Sequence, residues 1–287
     1  MSTVRAFRIR VHSWLSVCLF LFACSASAQW LKVPTPGAPR TPDGKVNLTA
    51  PAPRAADGKP DLSGVWHVHP TSLEEMKRIF GDKVGLTNVP GMEIDTLSKY
   101  ALNILVDFKP EEAPMRPAAA EIFHRRSTDR ELRGLCLPLG IPAAGLVSEP
   151  NKIVQSPRVI AILYESDATQ RQIYTDGREL PKEIAQPSWL GYSAGKWEGD
   201  TLVVESAGFN DKTWLDVGGH PHSEALRILE RYHRRDFGHL DVETTFDDPQ
   251  MYTKPFTIKF TQDLWADSDI FENICENEKD RTHLVQK

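Results

Sequence analysis

The chain has 287 residues, of which 40% are hydrophobic and 25% charged, and its mean hydropathy is -0.37. That composition belongs to a globular chain and excludes a disordered segment, a collagen-like fibre and a polytopic membrane protein. The formal net charge of -5 argues against a polyanion partner, and the basic run from Arg125 and Arg126 to Arg133 is broken by Asp129 and Glu131, so nucleic acid is not an expected ligand.

The first residues predict an export signal. Arg5, Arg8 and Arg10 form a basic stretch without acids, residues 14–24 are apolar, and Ala26-Ser27-Ala28 offers a small-x-small cleavage site ahead of Gln29. The apolar run is too short for a transmembrane helix, and nothing beyond residue 30 reads as a spanning segment. Cys24, after Leu21-Phe22-Ala23, half resembles a lipoprotein attachment site, but Phe22 is bulky for that pattern. The expectation is therefore a periplasmic or secreted protein after removal of residues 1–28, with a lipid anchor at Cys24 as the minor alternative. Losing three of the 34 basic residues and none of the 39 acidic ones moves the net charge from -5 to -8.

Residues 29–60 are rich in Pro, Gly and Ala and predict an extended arm. It contains an internal echo, Thr41-Pro-Asp-Gly-Lys-Val-Asn-Leu followed by Ala56-Asp-Gly-Lys-Pro-Asp-Leu, too few copies for a solenoid. A strand is expected over 61–67. Helical spacing over 71–78, 93–107 and 117–133, with Ser72 or Thr71 as a cap and Glu74-Glu75 at the positive helix end, predicts a helical insertion at about 70–135.

After Cys136 the texture becomes β. Short β-branched or aromatic runs at 152–155, 159–164, 172–174, 193–197 and 201–205 are separated by turn signals such as Ser156-Pro157, Asp176-Gly177 and Glu198-Gly199-Asp200. Period-two alternation marks 240–246 and 256–264, and 226–235 and 270–275 complete the series, although 224–235 has helical propensity. About ten closely spaced strands predict a mainly β fold, an antiparallel meander closing into a lipocalin- or calycin-like barrel or a strongly curved sheet, in one domain over 61–287. Cys136 and Cys275 remain in the exported chain, and an oxidising compartment makes a disulfide between them the expectation, stabilising by roughly 2–4 kcal/mol.

The loop 206–223 concentrates chemistry. It holds Asn210, Asp211, Trp214, Asp216, His220 and His222, with glycines for tight turns, and Glu230, Arg231 and His233 follow. Three readings fit. His220 or His222 acts as acid or base, oriented by Asp216 or Glu230. Alternatively, His220 and His222 share a divalent metal with a carboxylate or His233. In the third, the loop is a hydrogen-bonded plug. Tyr192, Trp197 and Trp214, with Arg231 beside them, are candidates to bind an apolar or aromatic molecule. His67-Val68-His69 has the same spacing as the loop pair and reads as one inward and one outward side chain. Serine-hydrolase, zincin, nucleotide-hydrolase and dinucleotide-binding motifs are absent from the sequence.

Two resemblances add to this. Gly64-Val65-Trp66 resembles the Gly-x-Trp start of lipocalins, in which the Trp plugs the closed end of a barrel; the Thr-Asp-Tyr signature has only a partial echo in Thr175-Asp176-Gly177. Residues 171–178, the run Gly195-Lys-Trp-Glu-Gly-Asp-Thr-Leu-Val-Val-Glu205, residues 208–216 and Gly219-His-Pro-His-Ser223 together resemble a large group of exported bacterial proteins. That likeness implies export and brings no assigned reaction. The functional expectation is a cofactor-free lyase, isomerase or hydrolase acting on a small apolar molecule, and the alternative is a carrier of such a molecule.

Overall fold

The computed structural model describes residues 33–81, 96–128 and 137–273. The predicted signal, Cys24 and both cysteines of the expected disulfide, Cys136 and Cys275, lie outside the described residues.

Nine strands close into one barrel in chain order: β1 (Gly64–Val68), β2 (Asn151–Gln155), β3 (Val159–Tyr164), β4 (Gln170–Tyr174), β5 (Tyr192–Glu198), β6 (Thr201–Ala207), β7 (Arg227–Arg234), β8 (His239–Asp247) and β9 (Phe256–Leu264). The barrel closes where Trp66 of β1 pairs with Leu264 of β9. Eight of the nine neighbouring pairs are antiparallel, as expected of a meander; β4 and β5 are parallel, Ile173 opposite Ser193 and Tyr174 opposite Ala194. The reason is the length of the connection 175–191, which carries the chain back to the rim where β4 began, as a parallel pair requires.

Period two decides what faces inward. In β7, Ile228, Glu230, Tyr232 and Arg234 are buried while Arg227, Leu229 and His233 are exposed, so the strand prevails over helical propensity. In the described part of the expected tenth strand, residues 270–273 are not paired into the sheet; Cys275 lies outside the described residues.

One apolar core runs from Leu62 through the barrel and takes in Met76, Leu97, Tyr100 and Ile104 of the helical segment. That segment joins β1 to β2 and lies over the rim where β1 ends; this is the upper rim below. It holds α1 (Leu73–Phe80), α2 (Lys99–Leu102) and α3 (Pro117–Thr128). α1 starts where predicted, with the Ser72 hydroxyl accepting the Glu75 N–H at 3.3 Å. The predicted helix over 93–107 contracts, within its described part, to the single turn of α2, ended at Asn103, whose backbone is extended.

The opposite, lower rim is closed by the arm, which is docked and folded into two matching turns. In the first, Arg40 bridges to Val46, Arg40 Nη1 donates to Gly44 O at 2.9 Å, and the guanidinium grips Asp267 with two bonds. In the second, Arg54 bridges to Pro60, donates to Gly58 O at 3.1 Å, and grips Asp200 of the β5–β6 turn in the same way. The sequence echo is thus a repeated arginine-clasped turn. Between the two turns, Leu48 O and Ala50 O accept the N–H groups of Gly238 and Phe237 at 2.7 Å. A Cβ on Gly238 would lie 2.5 Å from Leu48 Cβ, so the arm seats only on a glycine. Inside that end Trp66 is fully buried, donates Nε1–H to Leu62 O at 2.9 Å, and lies under the Arg234 guanidinium, 4.8 Å away. Among the described residues no helix is long and apolar enough to cross a membrane.

Candidate functional site

The loop 208–226 joins β6 to β7 over the upper rim, beneath the helical segment. Gly219, at φ +102°, lets the chain turn so that two successive N–H groups meet one carboxylate. Gly219 N and His220 N donate to Asp216 Oδ1 at 2.8 and 3.0 Å, and Ile104 N, arriving from beyond α2, donates to Oδ2 at 2.6 Å. The fourth donor is the His220 ring, whose Nδ1 lies 2.5 Å from Asp216 Oδ2. A carboxylate holding three backbone donors is a pure acceptor, so the imidazole donates its Nδ1–H to it and, when neutral, carries its lone pair on Nε2. The ring is stacked on Phe123 of α3, centroids 4.1 Å apart. Asp216 is 1% and His220 3% exposed: an Asp–His dyad set in a largely dry seat.

His222 does different work. Its Nδ1 donates to Ser223 O at 3.2 Å, and its Nε2 accepts from the Thr213 hydroxyl at 2.6 Å. Burial pushes its pKa below the usual imidazole value, which keeps the ring neutral. Both nitrogens are therefore committed. The two rings face different partners, and among the described residues no group of three or more His, Cys, Asp or Glu is placed to hold a metal ion, so the metal reading of this pair finds no support there.

Glu230, expected beside the loop histidines, is instead inside the barrel. Arg171 of β4 grips both its carboxylate oxygens, and Tyr232 donates to Oε1 at 2.7 Å. Arg171 also donates to Ser193 at 3.1 Å and Ser206 at 2.9 Å, and its pKa is raised well above the ordinary arginine value by the facing carboxylate despite burial. Beside this pair, with Tyr164, Asn151 and Gln262 on its wall, lies a cavity of about 20 Å³, room for one water.

The four residues expected to bind an apolar ligand do not converge. Tyr192 lies at the upper end of β5, stacked on Tyr174 with centroids 5.2 Å apart and accepting from Arg178 at 3.0 Å. Trp197 lies towards the other end of β5 and packs against the core. Arg231 is on the outer face, 3.1 Å from Glu198. Only Trp214 belongs to the loop site, under the Arg126 guanidinium of α3 at 5.3 Å. The pair His67 and His69 also differs from expectation. Val68 faces the core, so its neighbours face away from it: His67 meets Trp265 edge-on, and the largely exposed His69 pairs with Asp263 at 2.7 Å.

Sequence reasoning missed Phe123, Arg126 and Arg171. Arg171 carried a readable signal, since alternation in Gln-Arg-Gln-Ile-Tyr places it on the same face as Ile173. Phe123 and Arg126 carried only their spacing of three on a helix, which does not say what that face meets.

The chain matches no protein-family model, no curated protein and no solved structure.

Proposed function

We propose that the protein is an exported enzyme that acts on a small, largely apolar molecule by acid–base chemistry, with His220 as the base and Asp216 as its orienting group. One observation carries the reading: the 2.5 Å contact between His220 Nδ1 and a carboxylate already fixed by three backbone N–H groups. Such a seat selects one tautomer, aims Nε2, and stabilises the imidazolium that forms when Nε2 takes a proton. Phe123 and Trp214 supply apolar surface beside it. His222 and Glu230 are read here as structural, because both His222 ring nitrogens and both Glu230 carboxylate oxygens have partners inside the fold. The carrier alternative draws less support, since a charge pair occupies the lumen and leaves about 20 Å³ beside Glu230. Export rests on the signal-like residues 1–28 and on the resemblance to exported proteins.

The test is turnover of a panel of small apolar esters, lactones and hydroxy compounds by the mature chain and by His220→Gln. Glutamine keeps a donor for Asp216 but has no base. Turnover is expected to fall about 10²–10⁴-fold with little change in melting temperature. Unchanged turnover in the variant removes His220 as the base.

A further inference from the structure

Arg126 is the unsettled charge beside the dyad. It leaves α3 one turn after Phe123, whose ring covers His220, and its Cβ lies 3.2 Å from where a Cβ on Gly219 would be. The guanidinium lies over Trp214, and its Nη1 is buried with no hydrogen-bond partner among the described residues. Asp211 acts on it through its charge, and Arg125 opposes it. Desolvation pulls its pKa below the ordinary arginine value, the mark of a cation whose hydration has not been replaced. A half-buried guanidinium with one buried, idle donor is costly unless an anion completes it.

We infer that Arg126, backed by Trp214, is the anchor for a carboxylate on the substrate, which makes the substrate class a small apolar or aromatic carboxylic acid. The inference rests on the proposed role of His220 for its catalytic meaning, but the binding it describes does not require that base. Arginine suits this task because its planar fork bonds both oxygens of a carboxylate while its face stays on the indole. The apolar remainder of the molecule would then lie towards Phe123, within reach of the dyad.

The probes are 3-phenylpropionate and its neutral amide, titrated calorimetrically into the mature chain and into the Arg126→Gln, Arg126→Lys and His220→Gln variants, with melting temperatures recorded for each. The acid is expected to bind at least about tenfold more tightly than the amide, a gap that narrows as salt is raised. Arg126→Gln should abolish the gap and Arg126→Lys keep part of it, so the lysine variant decides the matter if the glutamine one folds poorly. His220→Gln should keep the gap while losing turnover. A gap that persists in Arg126→Gln, equal affinity of the two probes, or binding of neither overturns the inference. Retained turnover in His220→Gln overturns the catalytic reading alone and leaves the anchor standing.

Discussion

Arg171 and Glu230 meet inside the barrel, 1% and 4% exposed, with two guanidinium nitrogens on two carboxylate oxygens. Arg171 comes from β4 and Glu230 from β7, so the pair ties together two strands that are not neighbours in the barrel. Removing one partner strands the other as a bare buried charge. Arg171→Met or Glu230→Leu alone is expected to destabilise by about 3–5 kcal/mol, and the double variant to recover most of that loss. Urea melts of the three variants check it; additive losses in the double variant would show that the pair is not coupled.

This pair also shows what the sequence could reveal. Glu230 stands eight positions beyond His222 and reads as its neighbour in sequence, whereas strand alternation sends Glu230 into the barrel and leaves His222 on the rim. Strands were legible because period two and turn residues are local. Val159–Tyr164 and Phe256–Leu264 fall where the pattern placed them. The parallel β4–β5 pair, the seat of His220 and the partner of Trp214 depend on contacts between distant segments, which no local pattern encodes. The carboxylate of Asp216, for example, takes a donor from Ile104, 112 positions away.

His222 predicts an acid sensitivity. Its folded pKa lies below the ordinary 6.5, because burial opposes the charged ring. The unfolded chain therefore binds the extra proton first, and stability rises with pH through this window. The contribution is full above about pH 6.5 and is lost as pH falls from there to the depressed folded value. His67 shifts in the same direction, also by burial, so the informative quantity is the difference between wild type and His222→Gln. The wild type should lose more stability between pH 7.5 and 5 than the variant does. Parallel losses would place the sensitivity elsewhere.

The arm offers a test of docking. Gly238→Ala sets a methyl group against Leu48, and the expected loss is about 1–3 kcal/mol. Arg40→Ala and Arg54→Ala open exposed clasps instead. They should leave the melting temperature nearly unchanged and raise amide exchange within the turns 41–47 and 55–61 respectively, since surface ion pairs hold segments locally more than they stabilise the fold. Faster exchange throughout the barrel in either arginine variant would contradict that separation.

In the proposed mechanism Asp216 accepts a hydrogen bond from the Nδ1–H of His220, and the Nε2 lone pair of the neutral ring is left to act as the base. Nitrogen-15 NMR of the histidine rings, assigned by comparison with His220→Gln and recorded at a pH where the ring is neutral, reads this directly. The expected result is a protonated Nδ1 coupled to the Asp216 carboxylate and an unprotonated Nε2. A neutral His220 that carries its proton on Nε2 would contradict it.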